Sequence, residues 1–180
     1  MTSPHTDTVL PAGVTDGGID VEGLLARGMS VSVAPQGWSM YPTIVPGRDR
    51  VTIAPLPDGA RSRSRGVRRG DVVLFRRDYA RTLALTPGAV ATAPAGDVLV
   101  LHRVCRVAPD GVYVVGDNQL AVEGPVAPSQ LRGVVTEIQR NGRRLPADGA
   151  RLRAWGALWL WLLPVRPALH RVARCLRRLR

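Results

Sequence analysis

The chain has 180 residues and a formal net charge of +11, a length that suits one domain with a real core and would be strained by two. All 25 basic residues are arginine, which removes lysine as a base or Schiff-base residue and leaves His5, His102, His170 or a perturbed carboxylate to accept a proton near neutral pH. Alongside the abundant Ala, Gly and Pro, the arginine excess reads partly as GC-rich codon usage, which discounts the anionic partner such a charge would otherwise suggest. Cys105 and Cys175 have no metal-ligand spacing and make no disulfide framework, so both read as reduced structural cysteines, and no metal or cofactor is expected.

Residues 1–18 read as a disordered tail with neither the positive leader nor the apolar core of a signal peptide. Asp20 is placed to cap a short helix through Leu24 and Leu25 that Gly28 ends, and the alternating 30–34 segment, SVSVA, reads as a strand. A turn over 36-QGWSMYPTI-44 precedes a second strand, 49-DRVTIAP-55. Residues 58–69 carry five arginines and no apolar period, so they read as a solvated loop. The run 70-GDVVLFR-76 reads as a buried strand, and the Thr- and Pro-rich residues 80–96 as an inserted surface loop. A long strand, 97-DVLVLHRVCRV-107, turns at Asp110-Gly111 into 112-VYVVGDN-118, a hairpin. The last predicted strand, 132-RGVVTEIQR-140, stops at Asn141-Gly142.

The fold expected is mostly β over residues 19–146. Residues 150–180 follow as an apolar helical segment and then a basic amphipathic helix. In the latter Leu169, Val172, Leu176 and Leu179 share one face and arginines cover the rest. No window contains the run of about 18 apolar residues that a membrane-spanning helix needs. The tryptophans and arginines of 155–180 are nevertheless the mixture found at lipid interfaces, so peripheral membrane contact is expected as readily as docking on the domain.

Ser39 sits in a turn-like break ahead of an apolar run, where a serine is either a turn or N-cap residue or a nucleophile. A serine hydroxyl needs a base in hydrogen-bond reach and a third group to orient that base. His102, on a strand with Val100 and Val104 on its face, is the natural base. Asp117 and Glu123, beyond the hairpin, are the candidate orienting acids, and spacing alone does not choose between them. The backbone N–H of Ser39, with Gly37 beside it in the same turn, is the candidate oxyanion donor.

Four blocks occur in order: 37-GWSMYPTI-44, 70-GDVVLF-75, 102-HRV-104 and 116-GDN-118. Together they resemble the type I signal peptidases and the related LexA-like self-cleaving repressors. The His-Arg-Val block followed by Gly-Asp-Asn resembles the histidine-base variant of archaeal and endoplasmic-reticulum-type members. The resemblance implies a signal-peptidase/LexA-like coiled β domain with Ser39 as nucleophile, His102 as base and Asp117 or Glu123 as acidic partner. Glu123 stands where family members have aspartate, and Gly37 is closer to the LexA-like pattern. The expected activity is cleavage of a precursor or leader peptide by acyl transfer, in the cytoplasm or peripherally on a membrane. The rival expectation is a non-catalytic module of the same fold, binding anionic membrane or, less readily, nucleic acid through its basic C-terminus.

Overall fold

The computed structural model describes residues 9–10, 20–56, 66–77 and 98–166. Nearly all of the expected tail, the 80–96 insertion, residues 58–65 of the arginine-rich loop and the basic helix over 167–180 lie outside the described residues, as do His5, His170 and Cys175.

Among the described residues nine antiparallel strands make one sheet. They are β1 (Val9–Leu10), β2 (Val31–Val33), β3 (Asp49–Pro55), β4 (Val72–Arg77), β5 (Val98–Ala108), β6 (Gly111–Val115), β7 (Glu123–Val126), β8 (Leu131–Arg140) and β9 (Arg143–Pro146). The order across the sheet is β2-β3-β8-β4-β5-β6-β7, with β1 added to β5 and β9 to β8. Two α-helices accompany it among the described residues, α1 (Val21–Ala26) and α2 (Ala150–Trp161). The mostly β expectation therefore holds, and among the described residues no helix is long and apolar enough to cross a membrane.

Local chemistry explains the boundaries. The Asp20 side chain accepts a hydrogen bond from Gly23 N at 2.8 Å and so satisfies one of the open donors of α1. The β8–β9 hairpin turns at Asn141-Gly142, both at positive φ (50° and 76°), a conformation those two residue types tolerate best. Strand β7 has no counterpart among the expected elements. Its sequence, EGPV, opens on a charge and contains Pro125, which cannot donate to a ladder, and only its place beside β6 makes it a strand.

The sheet separates two apolar cores, and period-two alternation assigns side chains to each. Val72, Leu74, Leu99 and Leu101 join Leu25, Met40, Ile44, Val51, Ile53 and Ile138 in the first. Val73, Phe75, Val100 and Val104 join Val112, Val114, Val126 and Leu131 in the second. Consecutive residues of β4 and β5 thus feed opposite cores, which is why both strands read as unbroken apolar runs.

Truncating a residue in the middle of this arrangement is costly. Leu101→Ala, at a fully buried position, is expected to destabilise the fold by about 2–5 kcal/mol in urea unfolding. Leu120→Ala, at an exposed position, is expected to change stability by less than about 0.5 kcal/mol.

Candidate active site

Alternation along β5 sends His102 to the face of Val100 and Val104, as the sequence pattern implied, and sends Arg103 to the opposite face. The ladder then carries this parity across two further strands. Val104 is opposite Val114 in β6, and Val114 is opposite Glu123 in β7, so Glu123 lies in the row next to His102 and on its face. Val115 is opposite Arg103, and Asp117, two residues further on, continues toward Arg103 instead.

The distances follow. His102 Nδ1 lies 2.9 Å from Glu123 Oε1, and His102 Nε2 lies 3.2 Å from Ser39 Oγ. Asp117 does not serve His102: its carboxylate takes Arg103 Nε at 2.8 Å and Arg103 Nη2 at 2.7 Å, and it accepts a further bond from Thr43 Oγ1. Of the two acids left open by the sequence, Glu123 meets the histidine. Asp117 as the orienting acid is corrected to one half of a buried ion pair with Arg103.

Ser39 is held by a loop with many anchors. Gly37 takes a positive φ of 83° at the start of the turn. Tyr41 N then donates to Trp38 O at 3.1 Å and Ile44 N to Met40 O at 2.9 Å, while Met40 and Ile44 are buried in the first core. Asn118 N donates to Ser39 O at 2.6 Å, tying the Gly-Asp-Asn segment directly to the serine. Farther along, Val45 N donates to Asp49 Oδ2 at 2.9 Å, and Arg140 bonds both Asp49 and the Thr43 carbonyl. Ser39 and His102 are buried, while Trp38 and Tyr41, their rings 5.8 Å apart, are exposed beside them.

Arg77 carries no signal in the sequence, whereas Phe75, Arg103, Gly70 and Thr43 lie inside the four ordered blocks without a role assigned to them. Arg77 donates from Nε to Glu123 Oε2 at 2.7 Å and from Nη2 to Oε1. Phe75 lies against the imidazole with ring centroids 5.9 Å apart. On the far side, Arg103 Nη1 donates to Gly70 O at 2.8 Å, and Thr43 Oγ1 receives Trp155 Nε1 at 2.8 Å. A Cβ at Gly156 would stand 2.6 Å from Arg103 Nη1, so glycine there lets α2 pack against the guanidinium as it lies, paired with Asp117. Arg77 on β4 and its acid on β7 are separated in the sheet by β5 and β6, so no local pattern betrays the pair.

Burial alone would raise the Glu123 pKa, but the His102 contact and the Arg77 guanidinium outweigh it and hold the carboxyl down at about 2. Asp49 is likewise pulled down to about 2, against the effect of burial, by Arg48, Arg140 and the Val45 amide. Among the described residues no group of three His, Cys, Asp or Glu side chains is arranged to hold a metal ion. The chemistry this geometry can perform is transfer of the Ser39 proton to an imidazole whose other nitrogen faces a carboxylate. No protein-family model, curated protein or solved structure matches the chain.

Two outcomes are expected. Because the folded pKa values of Glu123 and Asp49 lie below their ordinary 4.5 and 3.8, the unfolded chain binds more protons in acid. Their stabilisation is therefore complete above about pH 5 and is lost as pH falls toward 2. Urea midpoints measured against pH should drop in that window, and Glu123→Gln should flatten the drop. Asp117→Asn, which leaves Arg103 buried and uncompensated, is expected to cost about 3–5 kcal/mol in the same unfolding measurement at pH 7.

Proposed function

We propose that this chain is a serine endopeptidase of the signal-peptidase/LexA-like kind, in its histidine-base form, cleaving a precursor or leader peptide by acyl transfer. The observation that carries the reading is the Ser39–His102–Glu123 line. Its first two members are 63 residues apart in sequence, yet Oγ and Nε2 stand at 3.2 Å, and Nδ1 is 2.9 Å from the carboxylate. A turn serine or a core histidine has no need of such a line, whereas nucleophilic catalysis requires it.

In this mechanism Glu123, ionised at neutral pH, accepts the Nδ1–H of His102 and so leaves Nε2 free to act as base. The Ser39 oxygen attacks the scissile carbonyl as its proton passes to Nε2. The Ser39 backbone N–H, with Gly37 allowing the turn, is the proposed oxyanion donor. The imidazolium, stabilised by Glu123, gives its proton to the leaving amine. An acyl ester on Ser39 results. Water, deprotonated by the same nitrogen, then hydrolyses the ester and restores the serine. Arg77 has a supporting part: by pairing both oxygens of Glu123 it fixes the carboxylate and keeps it ionised.

The test is cleavage of a degenerate peptide mixture read by mass spectrometry. Ser39→Ala and His102→Ala are each expected to lower kcat by roughly 10⁶-fold on any peptide the unmodified chain cuts, and Glu123→Gln by roughly 10⁴-fold, since such groups act as a unit. Cleavage that persists in Ser39→Ala at the unmodified rate would sink the reading.

A further inference from the structure

The segment that the family resemblance leaves unassigned is heavily bonded to the serine loop. Trp155 and Trp159 stack along one side of α2 with centroids 5.4 Å apart. Trp155 Nε1 reaches Thr43 Oγ1, four residues from the serine, and Trp159 Nε1 donates to the Asp117 carbonyl. Past the end of α2, Arg166 is buried at 2% exposure and lies 5.1 Å from the Trp159 ring centroid. Its Nη1 donates to Gly116 O and Gln119 O, both at 3.0 Å, and its Nη2 to Trp159 O at 2.8 Å.

A guanidinium buried against neutral carbonyls is a costly way to fill space, and an apolar side chain of similar volume would fill it more cheaply. What the guanidinium adds is a fixed path for the backbone it bonds, from Gly116 to Gln119. That backbone is the one in contact with the nucleophile. Asn118 N donates to Ser39 O at 2.6 Å, and a Cβ at Gly116 would come within 2.8 Å of the same oxygen. The chain of contacts therefore runs from α2 and Arg166 to residues 116–119 and on to the Ser39 backbone. His102 and Glu123 are reached by a different route, through β5, β6 and β7.

We propose that Arg166, together with Trp159, is a positioning residue for Ser39: the C-terminal helical segment clamps residues 116–119, and that loop holds the serine at its distance from His102. The proposal rests on the serine-peptidase reading of the same site. It makes the C-terminal segment part of the active-site architecture. Lifting Arg166 from the loop slows acylation with no change in the residues that touch substrate.

The experiment uses the full chain as wild type, Arg166→Met and Trp159→Phe, each at a temperature where circular dichroism shows it folded. The second-order rate of Ser39 modification by a fluorophosphonate is measured across pH, with the modified residue located by peptide mass spectrometry. Arg166→Met is expected to slow modification about 10–100-fold, the size of effect a small misplacement of a reacting group produces. Trp159→Phe, which loses one of these bonds, is expected to slow it less. In both, the midpoint of the pH dependence stays where it is in wild type, because the His102–Glu123 pair is untouched. Modification at the wild-type rate in both folded variants overturns the clamp and leaves the peptidase reading standing. A slowed rate with a displaced pH midpoint also overturns it, since the base and not the serine would then be disturbed. If wild type is not modified at Ser39 at all, the peptidase reading fails and the clamp with it. Should Arg166→Met not fold, Trp159→Phe alone decides: a slowed rate at an unmoved midpoint supports the clamp, and a wild-type rate overturns it.

Discussion

Two neighbouring residues on β5, His102 and Arg103, must point to opposite faces of the sheet, and the whole site is arranged around that parity. One face gives the histidine a carboxylate from β7 and a serine from the loop before β3. The other gives the arginine a second carboxylate, a threonine hydroxyl and a carbonyl. A one-residue slip of β5 would exchange the two sets and leave an imidazole facing a guanidinium's partners. The two apolar cores guard against that slip, since Leu99 and Leu101 on one side and Val100 and Val104 on the other are also fixed by it.

The two carboxylates have divided roles for electrostatic reasons. Asp117 is closed off by a bidentate guanidinium and a hydroxyl, so its lone pairs are committed and its contribution is to structure. Glu123 shares its oxygens between Arg77 and His102 and remains an anion, which in the proposed mechanism would stabilise the charge formed on the imidazole. Around them the serine loop is tied at separate points to β8 through Arg140, to β5 through Thr43 and Arg103, and to the Gly-Asp-Asn segment through Asn118. Under the proposed function such redundancy would suit a nucleophile, whose oxygen tolerates little displacement before the rate falls.

The parts of the fold legible in the sequence are those written in local chemistry. The Asp20 cap, the Asp110-Gly111 and Asn141-Gly142 turns, and the apolar runs of β3, β4, β5 and β8 all lie where residue type and period place them. Strand β7 is hidden because Glu123, Gly124 and Pro125 are poor strand formers, and it exists only as a partner of β6. The same concealment blurs the site. Ser39 and His102 stand out by their place in the Gly-Trp-Ser-Met and His-Arg-Val blocks, but choosing Glu123 over Asp117 requires counting ladder parity through β6 into a strand the sequence does not announce. Arg77 and Arg166 are masked by their own abundance, because in a chain with 25 arginines neither draws notice, and Arg103 is marked by its His-Arg-Val block but not by its partner Asp117.

The most direct measurement is the imidazole Nδ1 proton of His102, observed by solution NMR and assigned by its loss in His102→Ala. The arrangement predicts a downfield, slowly exchanging resonance that is present in the unmodified chain and lost in Glu123→Gln, because that carboxylate is what holds the proton. A resonance that persists unchanged in Glu123→Gln would contradict the arrangement, since His102 would then be oriented by some other group.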